Sequence, residues 1–123
     1  MAKEIVGEII CRKRGDTAPD VINVLDPESV LDPKGPLNIA GFSYKLTVNT
    51  EKDPEAGVGS EIASLTGVIT DAVNGEVEFD WSAAEADQTP DVYWYDIEQI
   101  DSTSRIKTIA KNQYIFFQDI TKP

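Results

Sequence analysis

Apolar and polar side chains alternate along three separate stretches of this chain, and no other feature restricts its fold as strongly. The apolar positions are Phe42, Tyr44, Leu46 and Val48 in the first stretch, Val77, Phe79 and Trp81 in the second, and Tyr93, Tyr95 and Ile97 in the third. A period of two is typical of antiparallel strands with one buried and one wet face. We therefore predict a core between two sheets that contains Tyr44, Leu46, Val77, Phe79, Tyr93 and Tyr95.

Proline, glycine and asparagine divide the chain into short strands. The proline-rich segment 32–36 interrupts regular structure, because proline lacks a backbone N–H, and Asn74-Gly75 favours a hairpin turn. Counting from turn to turn gives strands near 3–13, 20–25, 42–49, 61–70, 75–81, 91–101, 104–111 and 113–120. The predicted fold class is therefore all-β, an immunoglobulin-like antiparallel β-sandwich of about seven to eight strands.

One helical turn and one tyrosine refine this prediction. Ser82 stands three residues before Glu85, the spacing of a capping box, so we expect a single helical turn over 82–87. Tyr93 follows the turn before a strand, and its hydroxyl is expected to bond back to that turn as a tyrosine corner. The length of 123 residues suits one domain over 1–123 that buries a core without disulfides or metals.

The sequence offers no convincing active site. It contains no histidine and one cysteine, Cys11, which excludes an intramolecular disulfide, His-dependent nucleophiles and an ordinary zinc site. Cys11 lies in an alternating apolar stretch and is interpreted as a small packing residue. Glu78 and Asp80 share a strand face and are interpreted as solvated carboxylates rather than a catalytic pair. We predict a protein that is not an enzyme, with no cofactor and no metal.

The net charge of −11 and the pI of about 4.2 argue against nucleic-acid binding and against adhesion to anionic membranes. The N-terminal residues lack the long apolar core of a secretory signal, so synthesis in a cytoplasm is expected.

Two local features predict contacts with another protein. Arg12-Lys13-Arg14 gathers basic residues in an acidic chain, either as a solvated strand end or as a positive patch for an acidic neighbour. The run from Tyr114 to Phe117 is apolar on both faces, which indicates a strand covered on both sides or one that touches a partner. The candidate partner-contact residues are Arg12, Arg14, Ile115 and Phe117.

Three motifs follow one another in the C-terminal third of the chain, over 91–98, 105–109 and 114–121. Three earlier segments, 15–17, 36–41 and 71–79, match the same family pattern more loosely. In this order they resemble the N-terminal immunoglobulin-like domain of phage baseplate upper proteins. The resemblance implies a non-enzymatic structural virion protein of a tailed phage, made in the host cytoplasm. It would act as a protein-binding adaptor in the baseplate, tail or fibre attachment. Its partners would be other virion structural proteins, or further copies of itself in a symmetric assembly.

Two alternatives remain open at this point. The first is a capsid decoration protein, since small acidic β-sandwiches also serve there. The second is a carbohydrate-binding module, which would need Trp81 and Trp94 exposed for stacking on sugar rings. Placement of both tryptophans in the core or in an interface is the competing interpretation.

Overall fold

A computed structural model describes residues 8–31, 34–51 and 61–118 of the chain. Within these ranges it contains seven strands and one short helix: β1 Ile10–Lys13, β2 Asp20–Asn23, β3 Ser43–Asn49, β4 Glu61–Asp71, β5 Glu76–Phe79, α1 Ala83–Ala86, β6 Asp91–Ile100 and β7 Ile106–Phe117. Hydrogen bonds connect the strands in the order β1-β7-β6-β3-β4-β5-β2. The sheet curls into two layers, and the predicted all-β sandwich is confirmed.

Strand β4 belongs to both layers. Its first half pairs with β3, which places it in a first sheet with β1, β7 and β6, and its second half pairs with β5 in a second sheet that ends at β2. The change of partner occurs around Gly67, where a Cβ atom would lie 2.7 Å from Cγ1 of Val77 and 2.9 Å from Cβ of Tyr44. Glycine is therefore required here because the two layers approach too closely for any side chain.

The C-terminal strand differs from the prediction. The two strands expected near 104–111 and 113–120 are one continuous strand, β7, because Asn112 and Gln113 do not turn the chain. A bulge opposite Ile97 and Glu98 interrupts the pairing with β6, and both Ile109 and Ala110 are buried there. Strand β1 pairs with β7 in parallel, so the sandwich is not antiparallel throughout. The predicted strand positions 3–7 and 119–120 lie outside the described residues.

The predicted core is confirmed, since all six of its residues are buried. Tyr114 and Phe116 of β7 complete it, and the Phe116 ring meets those of Trp81 and Tyr93 edge-on at centroid distances of 5.6 and 5.5 Å. Edge-to-face contacts of this kind add to the free energy gained by burying the rings. The tyrosine corner is also confirmed, because the Tyr93 hydroxyl donates a hydrogen bond to the Thr89 carbonyl at 2.7 Å.

The helical turn forms as its capping box predicts. The Ser82 side chain accepts a hydrogen bond from the Glu85 backbone N–H, and the Glu85 carboxylate accepts one from the Ser82 backbone. The helix joins β5 of the second sheet to β6 of the first. Within the described ranges, no helix has the length and apolar character that crossing a bilayer requires.

Candidate ligand-binding groove

Arg12, predicted as a surface contact, lies in the interior and is only 5% exposed. Along β1, the residues that point inward are Ile10 and Arg12, whereas Cys11 is exposed. The predictions that Arg12 contacts a partner and that Cys11 packs in the core are both wrong for the same reason. The inward-facing and outward-facing positions of β1 are the reverse of those predicted, because core residues offer hydrogen-bond partners to the guanidinium group of Arg12.

These partners form a buried polar cluster, which we call the Arg12 cluster: Arg12, Asp20, Trp81 and Tyr114. Arg12 donates from Nε to the Tyr114 hydroxyl at 2.8 Å and from Nη2 to Asp20 Oδ1 at 2.9 Å. Asp20 Oδ2 accepts hydrogen bonds from the Trp81 indole N–H, at 2.9 Å, and from the Tyr114 hydroxyl. The guanidinium lies 4.9 Å from the centre of the Trp81 ring. The cluster joins β1 and β7 to β2 across the two layers.

The ionisation of the Arg12 cluster follows from these contacts. Burial alone would lower the pKa of Arg12, but the hydrogen bond to Tyr114 and the Asp20 carboxylate outweigh it and raise the pKa above its ordinary value. Burial likewise raises the pKa of Tyr114. Both groups therefore keep their protons at any ordinary pH.

The other predicted contact residues lie at the surface. Arg14 forms an ion pair with Asp87 at 2.7 Å and is partly exposed. Ile115 and Phe117 point away from the core, and Phe117 is 46% exposed. Ile115 lies between Cys11 of β1 and Val92 of β6. A partner contact through Arg14, Ile115 and Phe117 stays a prediction.

The two tryptophans have different surroundings. Trp81 is 4% exposed and belongs to the Arg12 cluster, so the interpretation that places it in the core is confirmed. Trp94 points to the opposite side of the first sheet and is half-buried. The arrangement of two exposed indoles that sugar stacking would need is therefore not present.

Trp94 lines a groove on the outer face of the first sheet, which we call the outer groove. Its volume is about 240 Å³, and its lining residues are Lys45, Thr47, Asn49, Glu51, Trp94, Tyr95, Asp96 and Glu98. The register between β3 and β6 creates this grouping, because Lys45 lies opposite Glu98, Thr47 opposite Asp96 and Asn49 opposite Trp94. Both strands are central in the sheet, so the groove rests on a rigid scaffold.

The outer groove carries an excess of negative charge. Three carboxylates and one ammonium group line it, a formal excess of two negative charges. Burial raises the pKa of Asp96, and the neighbouring Glu98 carboxylate raises it further, while Lys111 of β7 opposes both. A cation that binds beside such an acid stabilises its charged form.

Sequence reasoning did not find the outer groove. The alternation in 42–49 and 92–97 indicates which residues point outward, but not that the two strands are neighbours. A usable signal is present in β6, where an outward-facing tryptophan is followed by two outward-facing carboxylates. Outward positions of a strand are usually solvated, and one strand alone does not reveal a groove.

Comparison with known proteins gives a fold and no family. No family model matches the chain, and no curated protein matches it. A solved structure that is similar is CopC from Methylosinus trichosporium OB3b, with a TM-score of 0.56 and 7% sequence identity over 100% of each chain. The likeness is one of fold alone.

The predicted function as a structural virion protein is wrong. The structural likeness is to CopC, a copper-binding protein, and the family and curated comparisons give a phage protein no support. The adaptor role, the decoration role and the carbohydrate-binding alternative are therefore set aside. The motifs behind them are short strand-and-turn patterns, and such patterns identify a sandwich without identifying its use. The resemblance to the baseplate domain itself stays a prediction.

Proposed function

We propose that this protein is a non-catalytic binding domain and that the outer groove is its ligand site. The observation that carries the proposal is the grouping of one half-buried indole with polar side chains from two central strands. Ligand sites commonly combine an apolar or aromatic surface with a few polar groups that orient the ligand. The groove has this composition, and its backbone is held by pairing on both sides of β6.

The likeness to CopC raises copper as a ligand, and the residues of this chain do not fit it. Copper sites in proteins use imidazole, thiolate or thioether donors. The chain has no histidine, one cysteine and one methionine, and Cys11 is exposed on β1. Among the described residues, no group of three or more His, Cys, Asp or Glu side chains is arranged to hold a metal ion. We therefore propose a binding role for this protein in which copper is not the ligand.

A thermal-shift panel tests the proposal. A ligand that binds only the folded state raises the melting temperature, and the increase continues with the logarithm of the ligand concentration above its Kd. The panel contains an organic cation (agmatine), a neutral sugar (methyl glucoside) and an organic anion (succinate), each at several concentrations. We expect at least one to raise the melting temperature of the wild-type protein and to lose this effect on Trp94→Ala. A flat response from all three, or an equal response from the variant, would contradict the outer groove as a ligand site.

A further inference from the structure

The turn between β4 and β5 contains the one asparagine–glycine pair of the chain, Asn74-Gly75, and the Asn74 side chain is exposed. Asparagine is a chemically labile residue, and a following glycine has no side chain to shield its backbone nitrogen from the asparagine amide carbon. We propose that Asn74 is a site of spontaneous deamidation and that Asp71 slows this reaction in the folded protein. This modification is independent of ligand binding in the outer groove.

The reaction takes place within the chain and needs only water. The Gly75 nitrogen bonds to Cγ of Asn74 while the bond from Cγ to Nδ2 breaks, and ammonia leaves with the proton that the Gly75 nitrogen gives up. The intermediate is a succinimide ring. Water then opens the ring at either of its carbonyl carbons, which yields aspartate or isoaspartate at position 74. Both products add a negative charge, and isoaspartate also lengthens the backbone by a methylene group.

The fold requires glycine at position 75, so the labile pair is retained. The φ of Gly75 is +70°, in the left-handed region. A Cβ atom there would clash with the carbonyl oxygen of Val24 and would lie 3.0 Å from that of Leu37. The Gly75 carbonyl also accepts a hydrogen bond from the Val24 N–H at 2.8 Å, which anchors the turn.

The hydrogen bonds of this turn restrict the approach of the two reacting groups. Nδ2 of Asn74 donates to Oδ2 of Asp71 at 2.8 Å, and the Asn74 backbone N–H donates to Oδ1 at 3.3 Å. Because one carboxylate binds both nitrogens, rotation of the Asn74 side chain toward the Gly75 nitrogen is restricted. The Gly75 N–H is itself engaged, since it donates to the Ala72 carbonyl at 3.2 Å. Attack requires these bonds to break, and hydrogen bonds to a charged group are the stronger kind.

Deamidation should weaken the hairpin. Aspartate at position 74 replaces an amide donor with a carboxylate beside Asp71, so that an attraction becomes a repulsion. Isoaspartate in addition displaces Gly75, whose carbonyl is bonded to Val24. Ion-exchange chromatography separates the modified protein by its added charge, and we expect it to melt at a lower temperature than the unmodified protein. An equal or higher melting temperature would contradict a structural role for the amide of Asn74.

Peptide mapping by mass spectrometry tests the proposal on the full chain. Wild type and Asp71→Ala are incubated in mildly alkaline buffer, and the change in mass from replacing an amide NH2 with OH is followed at each asparagine. The matched control is Thr70→Ala, because Thr70 bonds to Glu76 of the same hairpin rather than to Asn74. Asp71→Ser, which keeps one acceptor oxygen, is a second variant should Asp71→Ala not fold, and circular dichroism checks the folding of each protein.

We expect deamidation at Asn74 to be about tenfold faster in Asp71→Ala than in wild type or Thr70→Ala, with Asp71→Ser between them. Asn38 is an internal control in every sample. It is exposed like Asn74, but the β-branched Ile39 follows it and shields the attacking nitrogen, so it should stay unmodified.

The same incubation in urea separates the effect of the fold from that of the sequence. Unfolded wild type and unfolded Asp71→Ala should react at equal rates, because the hydrogen bonds of the turn are lost. Equal rates in the folded proteins, or a difference that persists in urea, would overturn the role of Asp71. If Asn74 stays unmodified in every folded protein while the unfolded chain reacts, deamidation of the folded protein is overturned.

Discussion

Arg12 is a charged residue in the core, and its hydrogen bonds connect the two layers of the sandwich. Arg12 is buried against Asp20, which is eight residues away in the sequence, and Tyr114, which is 102 residues away. The alternation of residues 9–13 alone does not distinguish a strand with Cys11 inward from one with Arg12 inward. The partners that settle the question come from β2 and β7, so their contribution is visible only in the fold.

Replacing Arg12 should be costly because it leaves the largely buried carboxylate of Asp20, 16% exposed, without its positive partner. We expect Arg12→Ala to lower the free energy of unfolding by about 3–5 kcal/mol, measured by urea denaturation. The matched control is Arg14→Ala, which breaks the exposed pair with Asp87 and should cost no more than about 1 kcal/mol. Similar losses in the two variants would contradict a structural role for the Arg12 cluster.

Asp96 should reduce stability at neutral pH, because the folded protein disfavours its charged form. Its pKa is raised in the folded state, so stability is fully present below the ordinary value of 3.8 and is lost as pH rises through the raised value. The charged groups around it are Lys45 and Glu51 of the groove, Glu98 on its own strand and Lys111 opposite. We expect Asp96→Asn to melt at a higher temperature than wild type at neutral pH.

The same comparison has an internal control. The advantage of Asp96→Asn should disappear when thermal melts are run below pH 3.8, where wild-type Asp96 also becomes neutral. An advantage that is independent of pH would show that packing, and not charge, distinguishes the two proteins. A variant that is more stable yet binds less tightly would fit a residue kept for function rather than for stability.

At the scale of elements, the alternation of apolar and polar residues predicted well that the strands exist. It predicted less well how the strands are connected. The runs 42–49, 61–70 and 91–101 correspond closely to β3, β4 and β6 because their in–out pattern is regular. The boundary predicted near residue 112 does not exist, because Asn112 and Gln113 continue the strand. The irregularity of β7 is instead a bulge at Ile109, which shifts the buried face by one residue and has no turn signature.

Strand β4 can belong to both layers because residue 67 is a glycine. A Cβ atom there would lie 2.7 Å from Val77 and 2.9 Å from Tyr44 of the neighbouring strands. We expect Gly67→Ala to lower the free energy of unfolding by about 1–3 kcal/mol, because the added methyl overpacks the junction. The penalty should be smaller in a Val77→Ala background, since that change removes the closest contact. Equal penalties in the two backgrounds, measured by chemical denaturation, would contradict the contact with Val77 as the cause of the penalty.

At the scale of the whole molecule, the core holds all four tyrosines of the chain in their protonated form. Burial raises the pKa of Tyr44, Tyr93, Tyr95 and Tyr114, that of Tyr95 to about 12. Their contribution to stability is fully present below the ordinary value of 10.0 and is lost as pH rises through the raised values. Stability should therefore fall steadily above pH 10.

Ultraviolet absorbance of tyrosinate, followed together with circular dichroism, measures this effect. We expect the tyrosinate signal to rise only above pH 10, the ordinary value for tyrosine, and to change together with the circular dichroism as the protein unfolds. Ionisation of a tyrosine near pH 10 in a protein that is still folded would contradict the buried placement of that side chain.

The whole molecule also shows where sequence reasoning ends. The fold class was predictable because alternation, turns and the capping box all indicate a sandwich. The function was not, since the outer groove arises only when β3 and β6 become neighbours in one register. Its tryptophan, Trp94, and two of its carboxylates, Asp96 and Glu98, are separated from Lys45 and Asn49 by more than forty residues.

Chemical-shift mapping tests the central claim, that the outer groove is the binding site of this protein. The isotope-labelled protein is titrated with each compound of the thermal-shift panel, and the shifts of backbone amides and of both tryptophan indoles are followed. The account predicts saturable shifts of the Trp94 indole and of the amides of Thr47, Asp96 and Glu98, with the Trp81 indole unaffected. Shifts that are absent, or that centre on residues away from β3 and β6, would contradict it.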